Sequence, residues 1–200
     1  MLVDDKDKPF PYLLIRNFYD EEELRGIWEE LKFFTYKNKL LSPSKTGQTN
    51  PLAKKNSGLF LDQVFSDRRY SNILRANRKL FTSQIMKIYA DLHFTYENIM
   101  QANFDTTLIS YYEDTSYYKP HHDQAAITAL TWFFKEPKAF TGGDLIFTKF
   151  NETIEIENNM LLIFPSVVTH EVTPVQMGSN NTKFSGLGRY CMSQFLNITS

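Results

Sequence analysis

The chain has 200 residues, 42% hydrophobic and 15% aromatic, enough for one domain that buries about 70% of the surface its unfolded form would expose. Its 22 basic and 23 acidic residues give a formal net charge of −1, so charge gives no reason to expect a nucleic-acid or membrane-surface partner. The single cysteine, Cys191, excludes an internal disulfide and a multi-cysteine zinc site.

The amino-terminal segment "MLVDDKDKPFPYLLIRNF" lacks the charged and then apolar pattern of a secretory signal. No run of the sequence approaches the roughly 20 apolar residues that span a bilayer. We therefore expect a cytoplasmic protein without a membrane segment.

A first helix is predicted to begin after Asp20, which is a suitable N-cap followed by three glutamates that complement the helix dipole. Apolar residues then recur at helical spacing, at Leu24, Ile27, Trp28 and Leu31. The helix should pack one face on the core.

Residues 36–58 show no periodicity, contain several turn-forming residues and five lysines, and exceed an ordinary connection in length. We expect an irregular loop there, either a lid over a substrate site or a surface loop without a role. A second helix is predicted over about 70–91, with one apolar face made of Leu74, Phe81, Ile85 and Ile88.

From about residue 104 the sequence changes to short apolar or alternating runs separated by turn residues. These runs are "TTLISYY", "ITALTWFF", "DLIFTKF", "TIEIE", "MLLIFPS" and "GRYCMSQFLNIT". Many short strands of this kind are typical of an antiparallel sandwich or barrel of jelly-roll type. We predict a single domain over 1–200, mainly β with flanking α-helices, in which about 1–100 form a helical support and about 104–198 form the catalytic β-core.

Two of the four histidines are adjacent, in "YYKPHHDQAAITALTWFF". Side chains alternate between faces on an extended segment, so His121 and Asp123 can converge on one atom whereas His122 points away. A His-x-Asp pair alone is weak evidence for a metal site.

A third potential ligand, His170, ends the apolar run "MLLIFPSVVTH". Two histidines and one carboxylate form the facial triad of non-haem Fe(II) oxygenases, which leaves metal positions open for reactants. A zinc hydrolase would need a general base near the metal-bound water. Glu171 is a candidate for that base, although on a strand it would face away from His170.

With these residues in place, the sequence resembles the 2-oxoglutarate and Fe(II)-dependent dioxygenases, especially their prolyl 4-hydroxylase-like branch. The resemblance covers about residues 104–196, with a weaker match at "PFPYLLIRNFYDEEEL". It rests on four segments in the family's order: "YYEDTSYYKPHHD", "FTGGDLIF", "NNMLLIFPSVVTHEVTPV" and "GRYCMSQFL". It implies a double-stranded β-helix, the cupin-like jelly roll.

The resemblance implies that His121, Asp123 and His170 bind Fe(II) and act in catalysis through it. It implies that Arg189 binds the distal carboxylate of 2-oxoglutarate and that Tyr112 contacts the same cosubstrate. A guanidinium group suits the contact with the carboxylate because it is a permanently charged planar fork. Arg189 follows His170 after a longer interval than the family usually has, and Lys183 is the alternative; we prefer Arg189 because it begins a strand.

The implied cofactors are Fe(II), 2-oxoglutarate and O₂, with ascorbate as a further candidate. The implied reaction hydroxylates an unactivated C–H bond and releases succinate and CO₂. The leading substrate is a prolyl residue in a peptide or protein, and the alternative is a free amino acid or small metabolite. The oligomeric state is not predicted.

Two other functions are weighed against this one. Nucleic-acid dealkylases of the same superfamily typically carry a second arginine six residues after the cosubstrate arginine, where this chain has Phe195. We therefore do not expect a nucleic-acid partner. A non-catalytic jelly-roll binding module is the candidate from a different class.

Overall fold

The structure is a computed structural model that describes residues 2–6, 8–46, 50–178 and 183–199. Within these residues 14 strands fall into three sheets, and the strands pair antiparallel. The strands are β1 (Leu2–Lys6), β2 (Tyr12–Arg16), β3 (Lys54–Lys55), β4 (Ser57–Phe60), β5 (Phe104–Tyr112), β6 (Tyr117–His121), β7 (Ile127–Phe133), β8 (Phe140–Thr141), β9 (Leu145–Phe147), β10 (Glu152–Ile154), β11 (Met160–Pro165), β12 (His170–Val172), β13 (Gln176–Met177) and β14 (Arg189–Asn197).

In the described ranges, four α-helices and six short 3₁₀ helices cover part of this β-structure. The α-helices are α1 (Glu21–Tyr36), α2 (Asn72–Ala76), α3 (Ser83–Leu92) and α4 (Phe94–Glu97). The 3₁₀ helices are Pro43–Lys45, Pro51–Ala53, Leu61–Gln63, Arg68–Tyr70, Asn77–Phe81 and Asn98–Gln101. None of the helices in the described part of the chain has the length and apolar character that crossing a bilayer requires.

The two larger sheets are the frame of the molecule. The seven-stranded major sheet has the order β1-β2-β11-β7-β14-β5-β4, and the five-stranded minor sheet has the order β10-β9-β12-β6-β3. A third sheet contains only β8 and β13. The predicted fold class, mainly β with flanking helices in a jelly roll, is confirmed.

Two hydrophobic cores lie on opposite faces of the major sheet. On β11, Leu161 and Ile163 pack with the helices, whereas Leu162 and Phe164 pack against residues of the minor sheet. Successive strand residues face opposite sides, so one fully apolar strand can serve both cores. The order of layers is helices, major sheet and minor sheet.

The predicted first helix is confirmed as α1, and Asp20 is its N-cap. The Asp20 carboxylate accepts from the Glu23 backbone N–H at 2.9 Å, and the Glu23 carboxylate accepts from the Asp20 N–H at 2.9 Å, which makes a capping box. Ile27 and Leu31 are fully buried, so α1 packs one face on the core as predicted.

The predicted continuous helix over about 70–91 is wrong. The segment is broken into α2, a 3₁₀ turn and α3, and Thr82 between the last two has an extended backbone with ψ of 149°. Asn77 is fully buried and donates to the Thr107 hydroxyl on β5 at 2.7 Å. This tertiary hydrogen bond fixes Asn77 to the sheet, and the local apolar period could not reveal it.

The predicted irregular loop over 36–58 is more ordered than expected in its described part. It contains β3, which pairs with β6, and the beginning of β4, which pairs with β5. Residues 54–60 therefore run from the edge of the minor sheet to the edge of the major sheet. Residues 47–49 of the predicted loop lie outside the described residues, and its role as a lid stays a prediction.

Candidate metal centre and cosubstrate pocket

The candidate ligands are brought together by the pairing of β6 with β12. His121, the last residue of β6, lies directly opposite His170, the first residue of β12. Asp123 lies two residues beyond the end of β6, where its backbone N–H donates to the Ser166 carbonyl at 3.0 Å. The predicted convergence of these residues is thus observed, although a turn beyond the strand, not strand alternation, places Asp123.

The three side chains form a compact group whose ligand atoms all lie within 4.8 Å of one another. Asp123 Oδ1 is 3.9 Å from His121 Nε2, and Asp123 Oδ2 is 3.7 Å from His170 Nε2. Two imidazole nitrogens and one carboxylate fit a facial Fe(II) site. His122 is exposed and is not one of these three residues, as predicted.

Hydrogen bonds hold both imidazole rings so that Nε2 faces the other ligands. The His121 Nδ1 lies 2.9 Å from the Lys119 carbonyl oxygen, and the His170 Nδ1 lies 2.9 Å from the Val168 carbonyl oxygen. Since a carbonyl can only accept, each Nδ1 carries the proton and each Nε2 presents a lone pair. This is the tautomer that a metal ligand requires.

Burial keeps the two imidazoles neutral. It is the main cause that lowers the pKa of His121 to about 3, and repulsion from His170 acts in the same direction. Burial also lowers the pKa of His170, against an opposing effect of Asp123. Neither ring has to lose a proton near neutral pH before it binds a cation.

The Asp123 carboxylate is oriented by a hydroxyl pair inside the β-structure. The Thr128 hydroxyl donates to Asp123 Oδ2 at 2.7 Å, and Thr128 Oγ1 also lies 2.7 Å from the Ser166 hydroxyl. Thr128 and Ser166 are fully buried. Sequence reasoning missed both residues, although a threonine inside the buried run "ITALTWF" was a usable signal.

The metal group opens into a cavity of about 700 Å³ between the two large sheets. This volume lies within the usual range for small-ligand sites. Alternate residues of β5 and β14 form one wall of the cavity: Thr106, Leu108, Ser110, Tyr112, Arg189, Cys191, Ser193, Phe195 and Asn197.

Arg189 lines this cavity and is fully buried. Among the described residues none is a hydrogen-bond partner of its three guanidinium nitrogens, and its central carbon lies 4.6 Å from the ring centroid of Tyr112. A buried cation without a partner is costly, so this position fits an anionic group such as a carboxylate. Lys183, the alternative cation, is exposed and is not part of the cavity wall.

Tyr112 pairs with Arg189 in the register between β5 and β14. Burial raises the pKa of its phenol, while the positive charge of Arg189 acts in the opposite direction. The phenol therefore stays protonated and can donate a hydrogen bond into the cavity. Cys191, next but one to Arg189, is likewise held as the neutral thiol because burial raises its pKa.

The Gly142–Gly143 turn between β8 and β9 lets the chain pass close to Arg189. Gly143 has φ of +74°, and a Cβ built there would lie 3.0 Å from Arg189 Cδ and 3.0 Å from Val175 Cγ2. Glycine is required both by this backbone conformation and by the lack of space. Glu171, the base considered for a zinc hydrolase, is not among the residues that line the cavity.

Comparisons with known proteins agree with this geometry. Residues 107–197 match the family model described as the 2OG-Fe(II) oxygenase superfamily, and this match confirms the resemblance predicted from the sequence. No curated protein sequence matches the chain.

Several solved structures share the fold at low sequence identity. A Pseudomonas putida prolyl-4-hydroxylase is 14% identical with a TM-score of 0.62, over 93% of this chain and 92% of that one. The viral collagen prolyl hydroxylase of Paramecium Bursaria Chlorella virus-1, solved as a 2OG complex, is 12% identical with a TM-score of 0.58, over 94% and 96%. A 2OG-Fe(II) oxygenase family oxidoreductase from Burkholderia pseudomallei is 12% identical with a TM-score of 0.59, over 94% and 86%.

Proposed function

We propose that this chain, whose residues 107–197 match the 2OG-Fe(II) oxygenase superfamily, is an Fe(II)- and 2-oxoglutarate-dependent dioxygenase that hydroxylates an unactivated C–H bond. One observation carries the proposal. The His121, Asp123 and His170 group faces the same cavity as the buried guanidinium of Arg189, which has no hydrogen-bond partner in the described part of the chain. One cavity thus offers a site for a divalent metal and a site for a carboxylate.

In this proposal His121, Asp123 and His170 hold Fe(II), Arg189 binds the distal carboxylate of 2-oxoglutarate, and the Tyr112 phenol donates to the same molecule. Bound Fe(II) and 2-oxoglutarate, together with O₂, supply the oxidising chemistry and release succinate and CO₂. The chain orients these groups through Thr128 and the two carbonyl–imidazole contacts. Ascorbate as a further cofactor stays a prediction.

The proposed substrate is a prolyl residue of a peptide or protein. Beyond the metal group the cavity extends to Phe60 and Phe195, whose ring centroids are 6.5 Å apart. Aromatic side chains provide apolar contact area for a compact ring such as that of proline. The structural likeness to proteins named prolyl hydroxylases supports the same choice.

A free amino acid or other small metabolite is the alternative substrate. The observation that favours it is Lys54, a second buried cation in the wall of the cavity. Small metabolites commonly carry a carboxylate, and such a group would pair with this ammonium.

The test is anaerobic binding of Fe(II) and 2-oxoglutarate, followed through the visible metal-to-ligand absorption band. We expect a band for the wild type and none for His170→Ala. In Arg189→Ala the band should need a roughly tenfold or higher 2-oxoglutarate concentration, because the substitution removes a charge-assisted pair.

Two matched controls accompany this experiment. His122→Ala removes an adjacent imidazole outside the metal group, and Lys183→Ala removes an exposed cation that precedes β14 in the chain; both should behave as the wild type. No band in the folded, metal-loaded wild type would overturn the proposal and favour a non-catalytic binding module.

A further inference from the structure

Lys54 is a buried cation beside the metal group that the proposed reaction does not use. It lies on β3 opposite Tyr118 of β6, and it is 5% exposed. Its Nζ lies 5.6 Å from the centroid of the Tyr118 ring, which stacks on the His121 imidazole with a centroid distance of 3.5 Å. The ammonium is therefore separated from a metal ligand by one aromatic ring.

To the described residues Lys54 makes one hydrogen bond, in which Nζ donates to the Thr46 carbonyl oxygen at 2.7 Å. An ammonium has three donor protons. Within the described residues no carboxylate lies within ion-pair distance of Nζ, and burial alone lowers its pKa. An anion placed beside it would remove part of the cost of burying this charge.

The charges in a cavity that holds Fe(II) and 2-oxoglutarate indicate that the substrate would supply this anion. Apart from three histidines, the charged side chains of the described cavity wall are Lys54, Asp123 and Arg189. The charges of Fe(II), Asp123, Arg189 and dianionic 2-oxoglutarate cancel one another. The positive charge of Lys54 then remains to be neutralised by an anionic group of the substrate.

The neighbouring Lys55 shows that the burial of Lys54 is a property of position 54 and not of the strand as a whole. Successive residues of β3 face opposite sides, and Lys55 is exposed with its ammonium bonded to the Thr115 hydroxyl. A lysine side chain is normally kept in water, so Lys54 is the exception on this strand. The hydrogen bond to Thr46 needs a donor but not a charge.

We propose that the ammonium of Lys54 binds a carboxylate of the substrate next to the carbon that is hydroxylated. This inference rests on the proposed dioxygenase function and narrows its substrate class to carboxylate-bearing molecules. The carboxylate can come from a free amino acid, from the carboxyl terminus of a peptide, or from an acidic side chain beside the target residue.

The experiment measures calorimetric binding of three pairs of probes to protein loaded with Mn(II) and 2-oxoglutarate without O₂. Each pair differs by one carboxylate: L-proline and L-prolinamide, acetyl-Gly-Pro and its amide, and acetyl-Gly-Pro-Asp-Gly amide and its Asn counterpart. We expect at least one carboxylate to bind roughly tenfold or more tightly than its amide. The pair that shows the preference identifies the source of the carboxylate.

Substitutions then assign the preference to the charge of Lys54. Lys54→Met and Lys54→Gln should both abolish it, although the glutamine can still donate to Thr46. Lys54→Arg should keep part of it, and Lys55→Met should bind every probe as the wild type does. If Lys54→Met does not fold, Lys54→Gln decides the question.

Three results would overturn the inference: no carboxylate preference in the wild type for any pair, a preference that survives in Lys54→Gln, or one that is lost equally in Lys55→Met. The absorption band of the Fe(II)–2-oxoglutarate complex separates this inference from the proposed function. Without a band the dioxygenase proposal fails. With a band but no carboxylate preference, only the role of Lys54 fails.

Discussion

At the scale of single residues, the proposed metal ligands depend on partners that do not themselves bind the metal. Asp123 lies outside any strand; its backbone N–H donates to the Ser166 carbonyl, and the Thr128 hydroxyl sets the direction of its carboxylate. Groups that orient metal ligands typically contribute a factor of about 10 to 100 in metal affinity. Thr128 should therefore influence a metal that it does not touch.

Thr128→Val is expected to weaken Mn(II) or Fe(II) binding by about tenfold or more, because the Asp123 carboxylate loses its oriented donor. Metal titration at constant 2-oxoglutarate measures the effect. The matched control is Thr107→Val, which removes another buried threonine hydroxyl, the one bonded to Asn77 on the helical side of the sheet. Equal metal affinities in the two variants would contradict an orienting role for Thr128.

At the scale of elements, the proposed cosubstrate position depends on contacts between a turn and a strand. The Gly142–Gly143 turn passes within van der Waals distance of Arg189, which begins β14. The guanidinium has no hydrogen bond within the described parts of the chain, where it packs against this turn, Tyr112 and Trp132. The shape of the turn should therefore affect affinity for 2-oxoglutarate.

Gly143→Ala is expected to weaken 2-oxoglutarate binding by about tenfold or more, since a Cβ there strains the backbone and meets Arg189 Cδ at 3.0 Å. Titration of the visible band with 2-oxoglutarate measures it. Gly178→Ala is the control, because a Cβ at that position meets no heavy atom within 4 Å. Unchanged affinity in Gly143→Ala would show that Arg189 is held independently of the turn.

The elements that the sequence predicted are those whose pattern is local. The apolar runs that became β5, β7, β11 and β14 are long and buried, and α1 has both a period and a cap. In contrast, β3 consists of two lysines, and only its pairing with β6 makes it a strand. The broken helix before residue 92 depends on the contact of Asn77 with β5, which is also non-local.

The same distinction holds for the candidate site. His121, Asp123 and His170 could be proposed from the sequence because their residue types and setting resemble a known pattern. Lys54 could not, because it lies in a lysine-rich segment where nothing local separates the buried lysine from the exposed one. The orienting role of Thr128 could not be predicted for a related reason, because threonine is common in strands for its shape alone.

At the scale of the whole molecule, the proposed ligands connect the two large sheets. His121 and His170 belong to the minor sheet, whereas Arg189 and Tyr112 belong to the major sheet. A metal and 2-oxoglutarate bound in the cavity would interact with both sheets at once. Unfolding either sheet would then require their release.

Mn(II) and 2-oxoglutarate, each at 100 times its dissociation constant, are expected to stabilise the fold by about 2.7 kcal/mol per ligand and about 5.4 kcal/mol together, which corresponds to a rise in Tm of about 10–20 °C for a chain of this size. Thermal unfolding followed by circular dichroism measures the shift. Mn(II) with succinate should give a smaller rise, and His170→Ala should give none. A full shift in His170→Ala would place the bound metal elsewhere.

The short segment that links β3 to β4 also affects how the protein can associate with other chains. An unpaired strand edge can recruit a strand from another molecule. In the described part of the chain the four edges of the large sheets are strands of only two to five residues: β3, β4, β10 and β1. At β3 and β4 the two edges are formed by one continuous segment, residues 54–60. The longest edge, β1, has the sequence LVDDK, in which three of five residues are charged. Strand addition, the usual route from β-proteins to fibrous aggregates, is therefore disfavoured at each of these edges.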